Sequence, residues 1–159
     1  MLPQAGADAD ERNLMNDKMI LFVCSGNTCR SPMAEALAGH LDKQQRCISA
    51  GTRATPGQPA SGHALKLLRE RGIDWQGVSQ RLSAGLLAQC DLVLVMTHEH
   101  RYLVEQMLAA AGITQVAVEL LADEAEIADP YGKDLACYRH CLAVLEAALN
   151  HRFNPKNSS

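Results

Sequence analysis

What this 159-residue chain lacks narrows what it can be. It lacks an excess of either charge: 15 Lys and Arg against 18 Asp and Glu give a formal net charge of -3. That balance offers no general attraction to nucleic acid or to an acidic membrane surface. It has no apolar run approaching the ~20 residues of a membrane span. Met1 to Asp17 lacks the basic start and apolar centre of a secretory leader. A soluble cytoplasmic protein is therefore expected, and its six cysteines are not read as a secreted disulfide framework. There is no internal repeat and no second domain, and the length suits one domain with a real core.

What is present is an alternation of strands and helices. Residues 1–17 are polar, acidic and aperiodic, and are expected to be a disordered extension. The domain is expected over 18–152, with a flexible tail at 153–159. Lys18 to Val23 is a predicted strand, followed by a helix from Ser31 to about Gln44 and a strand from Arg46 to Ala50. A helix from Ala60 to about Arg71 closes at Gly72, and Ser83 to Gln89 is a short helix. The near-continuous apolar run from Asp91 to Met96 suits a strand buried on both faces. A helix follows from Glu99 to Ala110, ending before Gly112, then a strand from Val116 to Leu120. In the last helix Leu135, Tyr138, Leu142, Leu145 and Leu149 recur at three and four, one apolar face. This order predicts a single α/β domain: a four-stranded parallel twisted sheet with helices on both faces.

One loop carries the chemistry. Cys24 ends the first strand, Ser25-Gly26-Asn27-Thr28-Cys29 follow, and Arg30 precedes Ser31-Pro32 at a helix start. Five residues suffice to curl the backbone so that its N–H groups converge on one centre. Gly26 and Asn27 are the types that tolerate the positive φ of such an anion nest. The helix adds its free N-terminal N–H groups and positive dipole end, and Pro32 suits a first turn. Arg30 grips two oxyanion oxygens with its planar fork. The same positive surroundings favour a reactive thiolate at Cys24, to which Ser31 is placed to donate a hydrogen bond. A phosphate-binding loop after the first strand, with a nucleophile in it, is the expectation. It would lie where open α/β sheets bind their ligands.

Asp129-Pro130-Tyr131-Gly132 lies in a turn before the last helix. A thiolate that displaces a phosphorylated side chain needs a proton donor for the leaving group, and Asp129 on such a turn supplies one.

With these segments in view, the chain resembles the low-molecular-weight protein tyrosine phosphatase family. The resemblance rests on Val23 to Glu35, Ser49-Ala50-Gly51-Thr52, Ala88 to His98 and Asp129 to Gly132, and it runs from about Lys18 to about Asn150. It implies that Cys24 forms a phosphocysteine intermediate and that Arg30 with the loop from Ser25 to Cys29 binds the phosphoryl group. Asn27 and Ser31 would brace the loop, and Asp129 would act as general acid and then general base. Phosphorylated proteins would be the substrates, inorganic phosphate or similar oxyanions would bind the loop, and no metal or cofactor is implied. A monomer is expected.

Thr28 bears on substrate choice. Family members acting on phosphotyrosine commonly carry Ile there, whereas the run Gly26 to Ala34 with Met96-Thr97-His98 resembles the bacterial protein arginine phosphatase branch. The facing loop, Thr52-Arg53-Ala54-Thr55-Pro56, has no aromatic, so Tyr131 alone is left to flank a substrate. Phosphoarginine is slightly favoured, with phosphotyrosine the alternative. An arsenate reductase on the same scaffold needs further cysteines near Met96 to His100, where there are none. A binding module without catalysis needs neither the thiol nor the acid.

The remaining polar clusters read as structural. Cys47 and Cys90 are expected as small core residues, and His98-Glu99-His100 as surface polarity at a helix start. Cys137, His140 and Cys141 lack the second ligand pair that a zinc site needs. Trp75 is expected to pack, Tyr138 to join the core face and Tyr131 to wall the cleft. Cys29 shares the loop with Cys24 and is placed to pair with it on oxidation. Peroxide inactivation should then be reversed by dithiothreitol, and Cys29→Ala should lose that recovery. Equal recovery in the variant contradicts the pairing.

Overall fold

In the computed structural model, which describes residues 18–153, four parallel strands stand in the order β2-β1-β3-β4. They are β1 (Met19–Cys24), β2 (Arg46–Gly51), β3 (Leu92–Val95) and β4 (Ala117–Leu120). The helices are α1 (Arg30–Leu41), α2 (Gly62–Glu70), α3 (Ala84–Leu87), α4 (His98–Ala111) and α5 (Leu135–Phe153). The α/β expectation holds, with every strand and helix found near its predicted place. The expectations for 1–17 and 154–159 lie outside the described residues. Phe153, expected in the tail, instead ends α5 and packs against the core. No helix among the described residues is long and apolar enough to cross a membrane.

The two inner strands are apolar throughout because both of their faces are covered. Alternate side chains of β1 and β3 point to opposite sides. Phe22, Leu94 and Met96 join Met33 of α1, Leu67 and Leu68 of α2 and Leu142 and Leu145 of α5 in one core. Leu21, Val23, Val93 and Val95 face Leu87 of α3 and Val104 and Leu108 of α4 in the other.

Helix boundaries differ from expectation where side chains cap. α1 stops at Leu41 rather than near Gln44, because Asp42 turns extended and its carboxylate accepts the Gln44 N–H at 3.0 Å. α2 starts two residues late, behind Ser61, whose hydroxyl accepts the Ala64 N–H. Thr97 does the same for α4, and Gly112 ends that helix at φ 70°.

The strand order reverses at β1: the chain leaves it for β2 on one side and returns to β3 on the other. The crevice beyond their carboxyl ends is therefore where loops from both halves meet. Gly51, paired with Cys24 at the end of β2, sits against the loop that follows β1. A Cβ on Gly51 would overlap the Ser25 carbonyl oxygen and stand 2.9 Å from the Asn27 nitrogen. Gly51→Ala should therefore push the loop outward and cost about 1–3 kcal/mol, the usual penalty for overpacking. Urea denaturation checks this, and parental stability in the variant contradicts it.

Candidate active site

Cys24 is the last residue of β1 and is buried. The next five residues turn back over the strand end, and α1 begins at Arg30. One of the two loop residues expected at positive φ is there: Asn27, at 57°. Gly26 is not, which corrects the expectation for it. The turn needs a single left-handed residue, and Asn27 takes that place because its side chain is bound on three sides. Its Nδ2 donates to Ser31 Oγ at 2.7 Å and to Ser49 Oγ at 3.0 Å, and its Oδ1 accepts the Gln80 N–H at 2.8 Å. Ser49 Oγ passes its own proton toward Glu35 Oε1 at 2.7 Å. Burial raises the pKa of Glu35, and that hydrogen bond partly offsets the rise.

This network reaches the sulfur. Ser31 Oγ already accepts from Asn27, so its own hydrogen is free to point at Cys24 Sγ, 2.9 Å away. The Asn27 main-chain N–H also points at the sulfur, at 3.3 Å. Two donors and the N-terminus of α1 thus converge on the sulfur.

Arg30 links the loop to the turn that carries Asp129. Its Nη1 donates to the Ile127 carbonyl at 2.9 Å, and its Nη2 lies 3.4 Å from Asp129 Oδ2. Its Nε is buried without a protein partner. Asp129 is about half exposed, with Oδ1 accepting the Tyr131 N–H at 3.1 Å, so the carboxylate is both tethered and open to the cleft. The cleft itself is about 870 Å³, with Cys24, Gly26 and Arg30 on its floor and Thr28, Arg53 and Tyr131 among its walls. Ser25 and Thr28 are half-buried on it, and Tyr131 is 69% exposed. Cys29 is buried; its sulfur lies 3.2 Å from Tyr138 Oη, on the α5 side of the loop. Tyr138 is in the core as expected, and burial with that contact pushes its hydroxyl up to about 12.

One expectation is overturned. His98 and Glu99 are exposed, but His100 is only 2% exposed and its Nε2 lies 2.9 Å from Ser25 Oγ. The reversal of strand order brings the first turn of α4 against the loop after β1, and the sequence alone does not state that order. Ser49, Glu35 and Gln80 also went unassigned. Their partners lie 14 to 53 residues away along the chain. The other cysteines stand apart from this chemistry. Cys90 lies just before β3, at the opposite end of the parallel strands from Cys24, and burial pushes its thiol up to about 11. Cys47 is half-buried rather than core, pushed up to about 12. Trp75 packs against the core from a partly buried position. Among the described residues no group of three or more His, Cys, Asp or Glu is placed to hold a metal ion.

Burial, then the Arg30 cation, lower the pKa of His100 from 6.5 to about 4. Between those values the unfolded chain takes up a proton that the folded chain refuses. Stability should therefore fall as pH drops from about 6.5 to 4, by up to ~1.4 kcal/mol per unit from this residue. His100→Gln should flatten that slope in urea titrations, and an unchanged slope contradicts the assignment.

Comparison with known proteins agrees with this geometry. The family model for low molecular weight phosphotyrosine protein phosphatases matches residues 19–155. A protein-arginine-phosphatase of Bacillus subtilis (strain 168) is 34% identical over 136 residues, covering 82% of this chain and 91% of its own length. The low molecular weight protein-tyrosine-phosphatase PtpB of Staphylococcus aureus is 32% identical over 126 residues, covering 79% and 90%. Among solved structures, the tyrosine phosphatase amsI of Erwinia amylovora superposes with a TM-score of 0.78 at 33% identity, covering 87% of this chain and 92% of that one. With a family match spanning nearly its whole length, this chain belongs to the low molecular weight phosphotyrosine protein phosphatase family.

Proposed function

We propose that this protein is a cysteine-dependent phosphoprotein phosphatase that works by two in-line displacements. The observation that carries the reading is the sulfur of Cys24, held by Ser31 Oγ and the Asn27 N–H beneath an open cleft. In the first step the Cys24 thiolate attacks phosphorus, the S–P bond forms and the bond to the side-chain nitrogen or oxygen breaks. Asp129 gives its proton to the leaving group. In the second step Asp129 takes a proton from water, which attacks phosphorus, and the S–P bond breaks to release phosphate and the thiolate. Ser31 supports the sulfur as nucleophile and again as leaving group.

Arg30 and the main-chain N–H groups from Ser25 to Cys29 are assigned to the equatorial oxygens. The buried Arg30 Nε fits that role, since a buried donor without a protein partner calls for one from the substrate. A phosphoryl dianion also competes with Asp129 for Arg30, which leaves the carboxyl group free to turn toward the leaving group. Residues 18–152 are taken as the catalytic unit. It acts as a monomer on phosphorylated proteins in the cytoplasm, binds free phosphate or similar oxyanions, and has no nucleic-acid partner.

Phosphoarginine is the favoured substrate. Thr28 puts a hydroxyl on the cleft wall, and the facing loop supplies Arg53 and Thr55 rather than an aromatic slot. A planar, polar guanidinium gains from the hydroxyl and needs little stacking. The second reading is phosphotyrosine, supported by the exposed ring of Tyr131 lining the same cleft and by relatives named for that activity.

Side-by-side kcat/KM values on a phosphoarginine and a phosphotyrosine peptide test this. Wild type should prefer phosphoarginine and Thr28→Ile should reverse the order. Preference for phosphotyrosine in both assigns Thr28 no selective role. Cys24→Ser should abolish turnover while keeping oxyanion binding. Asp129→Ala should cost roughly 10²–10⁴-fold on poor leaving groups and much less on good ones. Equal losses on both contradict its role as acid.

A further inference from the structure

His100 is a buried polar residue beside the loop to which the two displacements give no task. Its main-chain N–H is fixed by Thr97 Oγ1 at 3.2 Å, and its Nε2 meets Ser25 Oγ at 2.9 Å. Its Nδ1 is buried without a partner. Burying an unpaired nitrogen is costly, whereas a Met here would fill the same volume without that cost. Packing alone therefore does not account for an imidazole at this place.

We propose that His100 is a positioning residue, which holds Ser25 and thereby sets the affinity of the loop for the phosphoryl group. This rests on the reading of the loop as a phosphate cradle. The bracing of that loop is divided between two sides. Asn27 ties the middle of the loop to Ser31, Ser49 and Gln80, and none of those bonds reaches Ser25. Ser25, next to the nucleophile, has its carbonyl held by the Arg53 N–H at 2.9 Å and its hydroxyl held by His100. With both fixed, the Ser25 N–H cannot swing away from the centre of the loop.

The imidazole does this without adding a charge. The Arg30 and Arg53 cations and its own burial oppose protonation, while Asp129 and Glu126 favour it. The balance leaves the ring neutral near pH 7, so Arg30 remains the cation beneath the anion.

The test uses the full chain with His100→Gln and His100→Met, two side chains of similar size that differ in hydrogen bonding. The readouts are Ki for inorganic phosphate and KM and kcat for para-nitrophenyl phosphate, with melting curves to confirm folding. His100→Met should raise Ki and KM about 5–10-fold, the worth of one hydrogen bond, with a smaller change in kcat. His100→Gln should stay within about twofold of wild type, since it keeps a donor and an acceptor within reach of Ser25. Ser25→Ala should match His100→Met, and the double variant should be no weaker than either single change. A His100→Met enzyme with wild-type Ki, equal impairment of Met and Gln, or additive effects in the double variant would overturn the proposal. If wild type neither binds phosphate nor hydrolyses the ester, the phosphatase reading falls and this inference falls with it.

Discussion

The site depends on one buried amide. Asn27 sits at φ 57°, 3% exposed, with both hydrogens of Nδ2 and its Oδ1 engaged. Through it the loop after β1 is joined to the first turn of α1, to the end of β2 and to the segment at Gln80. No other residue type meets all of these demands. Glycine accepts the backbone angle but makes no bonds, and aspartate cannot donate to two hydroxyls and would bury a charge. A polar network satisfied in this way is rigid, and rigidity is what a row of N–H groups needs to converge on one anion. Gly51 is the steric counterpart of Asn27. It leaves the space into which the Ser25 carbonyl and Asn27 nitrogen fit.

Around this buried floor the fold places more exposed groups. The sheet turns both ways from β1, so the crevice collects Cys24 from β1, His100 from α4 and Asp129 from the turn before α5. Arg30 spans these parts: its helix is packed in the core, while its guanidinium reaches the Ile127 carbonyl and Asp129. Asp129 is half exposed, held by an Asx turn and by the buried Arg30, which suits the proton transfers proposed for it. The core sets where the sulfur stands; the turn leaves the carboxylate free to act.

Much of this fold is legible in the sequence. The apolar run at Met19 to Val23 reads as a strand and that at Asp91 to Met96 as a buried parallel one, and the order of Cys24, Arg30 and Ser31 marks a loop between strand and helix. Local signals of that kind survive in sequence because each is written in neighbouring residues. What was misjudged is long-range. His100 reads like any polar residue at a helix start, since nothing near it reveals that β3 lies beside β1 and brings α4 onto Ser25. Glu35, Ser49 and Gln80 gave no signal either, because their roles exist only once Asn27 draws them together. Of the two neighbouring residues that tolerate positive φ, only Asn27 takes it, and Gly26 does not.

The most direct measurement is to look for phosphate on the sulfur. Asp129→Asn enzyme mixed with para-nitrophenyl phosphate forms the intermediate with a good leaving group but lacks the base that activates water, so the adduct should accumulate. Rapid acid quench, proteolysis and mass spectrometry should then find phosphate on the peptide bearing Cys24, at the cysteine itself. Phosphate mapped to another residue, or turnover with no adduct on Cys24 at any quench time, would contradict the account.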